Sequence, residues 1–116
     1  MGALIYFRTP ISRALARFKR KHPKLYKKWF RFRWVDIGRD VTPKIDFHGI
    51  RVVYPQTDAA LEWLRLRDPV QRNRTVFITS LVSVPNKKEV GRAKEWLREE
   101  GYRIRKTSPH IYDLYV

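Results

Sequence analysis

The chain has 116 residues, of which 43% are hydrophobic and 14% aromatic. This is enough for one domain with its own core, and it is unlike the composition of a disordered chain. No cysteine is present, which excludes disulfides, thiolate chemistry and cysteine-ligated zinc. The formal charge of +15 is uneven, because residues 1–35 carry eleven Lys or Arg and no acidic residue; such asymmetry indicates a polyanionic partner.

The start of the chain predicts a strand and then a helix. Residues 3–8, ALIYFR, look like a short strand. Thr9 and Pro10 supply an N-cap and a first-turn proline, which are typical of a helix start. The apolar residues that follow fall on one helical face, namely Ile11, Ala14, Leu15 and Phe18. Pro23 should break or kink this helix near His22.

Residues 19–34, KRKHPKLYKKWFRFRW, interleave Lys and Arg with large aromatic side chains. After Pro23, helical spacing places the rings and Leu25 on one arc and the basic residues on the other. Core packing explains the rings, so we do not assign Trp29 or Phe30 as base-stacking residues. The end of this second helix is ambiguous, because Phe30, Phe32 and Trp34 also alternate with arginines in strand fashion.

The rest of the chain predicts strands around turns in residues 34–54, a helix at 58–67 capped by Thr57, and a strand at 75–84. A helix at 87–100 begins at a capping-box-like Asn86 and stops at Gly101, and a β-hairpin closes the chain. The predicted fold is one small α+β domain, with a mixed or antiparallel sheet covered by helices. We divide it into a strongly basic, helical N-terminal region (1–35) and an α+β body (36–116) that ends in a helix plus hairpin.

No motif points to catalysis or to a cofactor. The three histidines, His22, His48 and His110, lack metal-ligand spacing. Asp36, Asp40 and Asp46 could hold Mg²⁺ by residue type, but a turn-rich stretch uses Asp for backbone capping. We therefore expect no catalytic residue, no metal and no cofactor. No apolar run approaches the length of a membrane span, and the sequence favours a cytoplasmic or other reducing, intracellular compartment.

The sequence instead favours a non-enzymatic protein that grips the phosphate backbone of DNA or RNA. Cations near phosphates release condensed counterions, and an ordinary solvated helix face would interleave Glu with Lys. The candidate contacts lie on the N-terminal helices, a loop, the last helix and the final hairpin: Arg13, Arg17, Arg20, Lys24, Lys27, Lys28, Arg31, Arg33, Arg72, Arg74, Lys87, Lys94, Arg98, Arg103 and Arg105.

Several alternatives stay open. A small metal-independent ribonuclease or toxin-like enzyme needs no recognisable motif. The basic surface could instead lie on an anionic membrane surface, since charge does not distinguish lipid from nucleic acid, or it could meet an acidic protein. Residues 93–116, a helix, Gly101 and a basic hairpin, resemble the end of a winged-helix DNA-binding domain. Residues 75–84 look like a strand where that fold has helices, so the resemblance only adds the helix-plus-hairpin as a candidate contact surface.

Overall fold

The computed structural model describes residues 3–35 and 48–116. The predicted α+β class is confirmed, in one small domain with a mixed sheet. The strands are β1 (Ile5–Arg8), β2 (Phe30–Val35), β3 (Gly49–Pro55), β4 (Phe77–Ser83), β5 (Arg103–Ser108) and β6 (Ile111–Tyr115). The helices are α1 (Pro10–Lys21), α2 (Pro23–Trp29), α3 (Asp58–Arg67) and α4 (Lys87–Glu100), with a short 3₁₀ helix at Pro69–Gln71. The suggested carboxylate group of Asp36, Asp40 and Asp46 lies outside the described residues.

Local signals set the helix boundaries as predicted. The Thr9 hydroxyl accepts a hydrogen bond from the Ser12 backbone N–H at the start of α1, and α1 ends before Pro23, which opens α2. Asn86 caps α4, and Gly101 ends it in the left-handed region at φ 111°. The ambiguous stretch changes from helix to strand at Phe30, so Arg31 belongs to β2 and not to the second helix.

The six strands form one sheet in the order β2-β3-β4-β1-β6-β5. Neighbouring strands are antiparallel except β1 and β6, which are parallel. The N-terminal strand therefore lies in the interior of the sheet, and residues 1–35 supply two of its strands. The final hairpin is part of this sheet through the β1–β6 pairing, so it is not a projecting wing of the winged-helix type.

Helices cover the two faces of the sheet differently. One face, which carries Phe7, Leu81 and Leu114, packs against Ala93 and Leu97 of α4. On the opposite face, Val53 and Phe77 pack against Ile11 and Leu15 of α1 and against α3. The β3–β4 pairing shifts register between Arg51 and Val52, with Thr79 as the additional residue of β4. This bulge turns Phe77 towards the α1 side, although Leu81 on the same strand faces α4.

A buried polar cluster connects the end of α3 to the start of β5. The carboxylate of Asp68, which is fully buried, accepts hydrogen bonds from the Val70 N–H (3.1 Å), the Gln71 amide (2.9 Å) and the Tyr102 hydroxyl (2.6 Å). Gln71 in turn pairs with the Ile78 backbone. Burial, and then the hydrogen bond to Asp68, raise the pKa of Tyr102 well above its usual range. These groups satisfy one another, and we assign them a structural role.

Candidate nucleic-acid interface

Helices α1 and α2 pack through an aromatic cluster. The Phe18 ring centroid lies 5.4 Å from those of Trp29 and Phe30 and 5.2 Å from that of Trp63. Phe30 is buried, and the other rings are half-buried. This confirms the prediction that Trp29 and Phe30 belong to the core, whereas Trp34, at the end of the basic stretch, is exposed. The packing turns the opposite arc of both helices towards solvent.

The basic side chains on that outer arc are exposed, and those on β2 are exposed as well. None of the ion pairs within residues 3–35 and 48–116 includes any of them. We call this set the cationic surface: Arg17, Arg20, Lys24, Lys27, Lys28, Arg31 and Arg33. Its two members on the edge strand β2, Arg31 and Arg33, are paired with Tyr54 and Val52, so they lie on the side of the sheet that α4 covers. Like charges this close repel one another, so the fold maintains the surface at some cost in stability.

Arg13 has a different environment from the other predicted contacts on α1. Its guanidinium donates to the backbone carbonyl oxygens of Arg8 (3.2 Å) and Leu114 (2.8 Å). It also lies 4.9 Å from the Tyr115 ring centroid and 3.8 Å from the Asp113 carboxylate. These contacts anchor α1 to β6, so Arg13 already has a structural role.

Beside α1, part of the sheet face that α1 and α3 cover remains open. Strand pairing places Trp34, Arg51, Ser80 and Arg8 side by side across β2, β3, β4 and β1. We call the uncovered area the open face; its members are Tyr6, Arg8, Trp34, Arg51, Ser80, Val82 and Ile111. These residues line a shallow concavity of about 590 Å³, which Ser12, Phe32 and Arg33 complete.

The open face combines exposed rings with positive charge. Tyr6 is 43% and Trp34 44% exposed; among the described residues, Leu66 and Val116 are the other exposed large apolar side chains. Among the described residues, no carboxylate lines the concavity. Asp113 of β6, which pairs with Arg8, is buried and accepts two hydrogen bonds from it, at 2.7 and 3.0 Å.

Trp34 and Arg51 each pack against a neighbouring residue of the sheet. A Cβ added to Gly49 would lie 2.2 Å from Cζ2 of the Trp34 indole, so the ring rests against glycine backbone at a distance that no other residue would permit. The Arg51 guanidinium lies 4.8 Å from the Phe32 ring centroid. Burial raises the pKa of the Tyr26 hydroxyl, and the positive charge of Arg51 opposes this shift.

The remaining predicted contacts lie on β5, after the 3₁₀ helix and on α4. Strand pairing puts Arg103 and Arg105 of β5 opposite Tyr115 and Asp113, on the same side of the sheet as the open face. Arg72 and Arg74 follow the 3₁₀ helix, and Arg74 lies 3.9 Å from Glu100.

The predicted contacts of α4 lie on the other side of the sheet, because α4 packs on the opposite face. They are Lys87, Lys94 and Arg98. The Lys94 ammonium lies 4.5 Å from the Tyr112 ring centroid. The sheet therefore separates these three residues from the basic side chains of α1 and α2, but not from Arg31 and Arg33 of β2.

The described residues give no support to a metal site. Within residues 3–35 and 48–116, no three His, Asp or Glu side chains are close enough to hold a metal ion. The centroid of the His22 ring lies 5.3 Å from that of Phe18 at the α1–α2 junction. None of the helices in this described part has the length and apolar character needed to cross a bilayer.

Tyr6, Trp34 and Arg51 were not among the sequence-based candidates. One signal could have found Tyr6: in β1 the apolar phase is Ile5 and Phe7, so Tyr6 occupies the polar phase, where a large ring is unexpected. Trp34 continues the alternation of rings and arginines in β2. Phe30, Phe32 and Trp34 lie on the same side of β2. Sequence alone does not show that Trp34, unlike the two phenylalanines, lies beyond the area that the helices cover.

Comparison with protein-family models, with curated proteins and with solved structures found no match to this chain.

Proposed function

We propose that the protein is a non-enzymatic nucleic-acid-binding protein that grips the phosphate backbone of DNA or RNA through its cationic surface. One observation carries the proposal. Helices α1 and α2 present exposed basic side chains that have no carboxylate partner among residues 3–35 and 48–116, and α1 adjoins an open face with exposed aromatic rings. The proposal includes a cytoplasmic location, where nucleic acid is accessible.

Helices α1 and α2 carry no carboxylates, and this favours phosphate as their ligand. An exposed helix that is merely solvated gains from Glu–Lys pairs four residues apart, and α4 has acids such as Glu95 and Glu99 among its basic residues. Helices α1 and α2 have none. A nucleic-acid backbone removes the resulting repulsion, because each neutralised phosphate releases condensed counterions.

The predicted contacts differ in their expected contribution to phosphate binding, according to where they lie on the fold. The cationic surface forms the primary grip, and Arg103 and Arg105 extend it on the side of the sheet that bears the open face. Arg13 positions α1 and makes a smaller direct contribution. Lys87, Lys94 and Arg98 lie on the side of α4, where a ligand held by α1 and α2 meets them only if it passes around the β2 edge of the sheet.

The test compares two triple variants that each remove three positive charges from an exposed helix surface. Lys24→Gln/Lys27→Gln/Lys28→Gln changes α2, and Lys87→Gln/Lys88→Gln/Arg98→Gln changes α4. Affinity for duplex DNA, single strands and structured RNA is measured by fluorescence anisotropy at several salt concentrations. We expect the α2 variant to bind more weakly, with a log–log salt slope smaller by about two to three units. The α4 variant should change both quantities less.

Four outcomes would contradict the proposal. Equal effects of the two triple variants would show a response to net charge without a defined surface. Binding that is insensitive to salt would exclude a phosphate grip, and binding to anionic vesicles alone would assign the surface to membranes. Cleavage of RNA in the presence of EDTA would establish the metal-independent ribonuclease alternative.

A further inference from the structure

We infer that the open face binds unpaired nucleotides, whose bases stack on Tyr6 and Trp34 while the cationic surface holds the adjoining phosphates. This inference rests on the proposed function and adds its substrate class, single-stranded RNA or DNA. Phosphate contacts alone do not distinguish a duplex from a single strand. Exposed rings do, because a base can stack on a side chain only after it leaves its own helix.

The fold gives these rings a position that core packing does not explain. Helices α1 and α3 cover the part of the sheet face around Val53 and Phe77. The side chains of Tyr6 and Trp34 on the same face are not covered in this way and are 43% and 44% exposed. Tyr6 stands on an interior strand between Val82 and Ile111. These neighbours are shorter than the ring, which leaves it accessible in the concavity.

Trp34 is the better fixed of the two stacking surfaces. Its indole occupies the space that any side chain at position 49 would fill, and the His48 ring centroid lies 6.0 Å away. A ring that is already held loses little conformational freedom when a base stacks on it. The Gly49 backbone therefore preorganises the site.

The spacing of the rings favours a splayed single strand. Trp34 lies on β2 and Tyr6 on β1, which is the third strand from β2 in the sheet. Across the sheet, Trp34 is level with Arg8 of β1, and Tyr6 is two residues from Arg8 along that strand. Standard strand geometry places their backbones roughly 15 Å apart. Stacked bases in one strand of B-DNA rise about 3.4 Å, so the two rings serve nucleotides that are not neighbours in a stack.

The charges of the concavity select an anionic occupant. Its lining within residues 3–35 and 48–116 includes Arg8, Arg33 and Arg51 and no carboxylate. Arg8 is paired with Asp113, whereas Arg51 stacks on Phe32 and is in none of the ion pairs of the described residues. A guanidinium stacked in this way can still direct its N–H groups at a phosphate. A second copy of the chain is disfavoured here, because each copy carries a net charge of +15.

The test removes the rings and leaves every charge in place. Tyr6→Thr and Trp34→Thr keep strand propensity, Tyr6→Phe and Trp34→Phe keep a ring, and Leu66→Ala, at an exposed residue of α3 outside the concavity, is the matched control. The probes are labelled oligo-uridylate and oligo-deoxythymidylate of about 12 nucleotides, together with duplexes of the same length. Thermal unfolding of each variant checks that the fold is intact.

We expect the wild-type chain to bind the single strands more tightly than the duplexes. Each Thr variant should lose roughly 5- to 150-fold in affinity for single strands, the range observed when one stacking residue is removed. The salt slope should stay unchanged, because no phosphate contact is lost. Each Phe variant should recover most of the affinity. Single strands should also quench tryptophan fluorescence, and Trp34→Phe should lose most of this quenching while the other three tryptophans remain.

The failures of the two proposals are distinguishable. Salt-dependent binding in which duplexes equal or exceed single strands, with Thr variants that bind like Leu66→Ala, would overturn the inference and leave the phosphate grip intact. A chain that binds none of the nucleic acids would overturn both. If a Thr variant unfolds, the Phe variants and the quenching measurement still decide, because a stacked base quenches Trp34 without any change to the fold.

Discussion

Gly49→Ala should displace the Trp34 indole and reveal how firmly that ring is held. The new Cβ would lie 2.2 Å from Cζ2 and 2.6 Å from Cε2 of the indole. Ordinary carbon contacts are about 3.5–4.0 Å, so the ring must withdraw by roughly 1.5 Å. Forced repacking of this kind costs about 1–3 kcal/mol. The smaller entropy of the unfolded chain offsets about 0.4–1 kcal/mol, since the φ of Gly49 is accessible to alanine.

The net expectation is a loss of about 0.5–2 kcal/mol in the free energy of unfolding, measured by urea denaturation. The decisive comparison is a double-mutant cycle with Trp34→Thr. Without the indole, the alanine methyl group has room, so Gly49→Ala should be neutral or slightly stabilising in that background. The coupling between the two sites should then be about 1–3 kcal/mol.

Gly91→Ala is the matched control for the same chemical change. No atom lies within 4 Å of a Cβ at this exposed position in the interior of α4. Alanine is favoured over glycine by about 0.8–1.0 kcal/mol in a helix interior, so this variant should be more stable than the wild-type chain. If Gly49→Ala had the same effect with and without Trp34, the indole would not rest on that glycine, and the argument for a preorganised stacking surface would fail.

Two further predictions concern the core. Phe18→Ala should lower the free energy of unfolding by about 3 kcal/mol, because it removes the ring on which Trp29, Phe30 and Trp63 converge; urea denaturation measures this, and a stable variant that loses nucleic-acid binding would show that the aromatic cluster faces the ligand. The raised pKa of Tyr102 predicts the direction in which stability changes at alkaline pH. In the unfolded chain its hydroxyl ionises near pH 10.0, and in the folded chain at higher pH, so its stabilising contribution is complete below pH 10 and is lost as the pH rises, by up to about 1.4 kcal/mol per pH unit. Tyr102→Phe should remove this part of the alkaline dependence, and an unchanged pH profile of unfolding would contradict the assignment.

The element order and the ends of most elements could be predicted from the sequence, because their causes are local. Thr9 with Pro10, Pro23, Asn86 and Gly101 each act within one helical turn of the boundary that they set. The lack of acids in residues 1–35 is also visible in the chain itself. Helical periodicity then decides which arc of α1 and α2 turns its charges outward, since the rings of the other arc must be buried.

The junction between α2 and β2 could not be predicted, because Phe30 fits both periods. Its N–H still donates to the Tyr26 carbonyl of α2, but from Phe30 onward the chain pairs with β3. Pro55, which lies opposite Phe30, is 25 positions further along the chain. The roles of single arginines depend on tertiary contacts in the same way. Arg13 and Arg17 belong to the same helix, yet only Arg13 reaches the carbonyl oxygens and the Asp113 carboxylate beside it.

Local patterns in the chain therefore set most of the elements and the charge of their outer surfaces, whereas contacts between distant segments set which of those surfaces adjoin. The strand order brings Tyr6 and Trp34 onto one uncovered face, although 27 residues separate them along the chain. The bulge at Thr79 keeps Phe77 on the side of α1, and the packing of α4 on the opposite face separates Lys87 and Arg98 from the cationic helices. Hydrophobic periodicity predicts whether a side chain is buried. It does not predict which segment buries that side chain, because this depends on contacts between segments that are distant in the sequence.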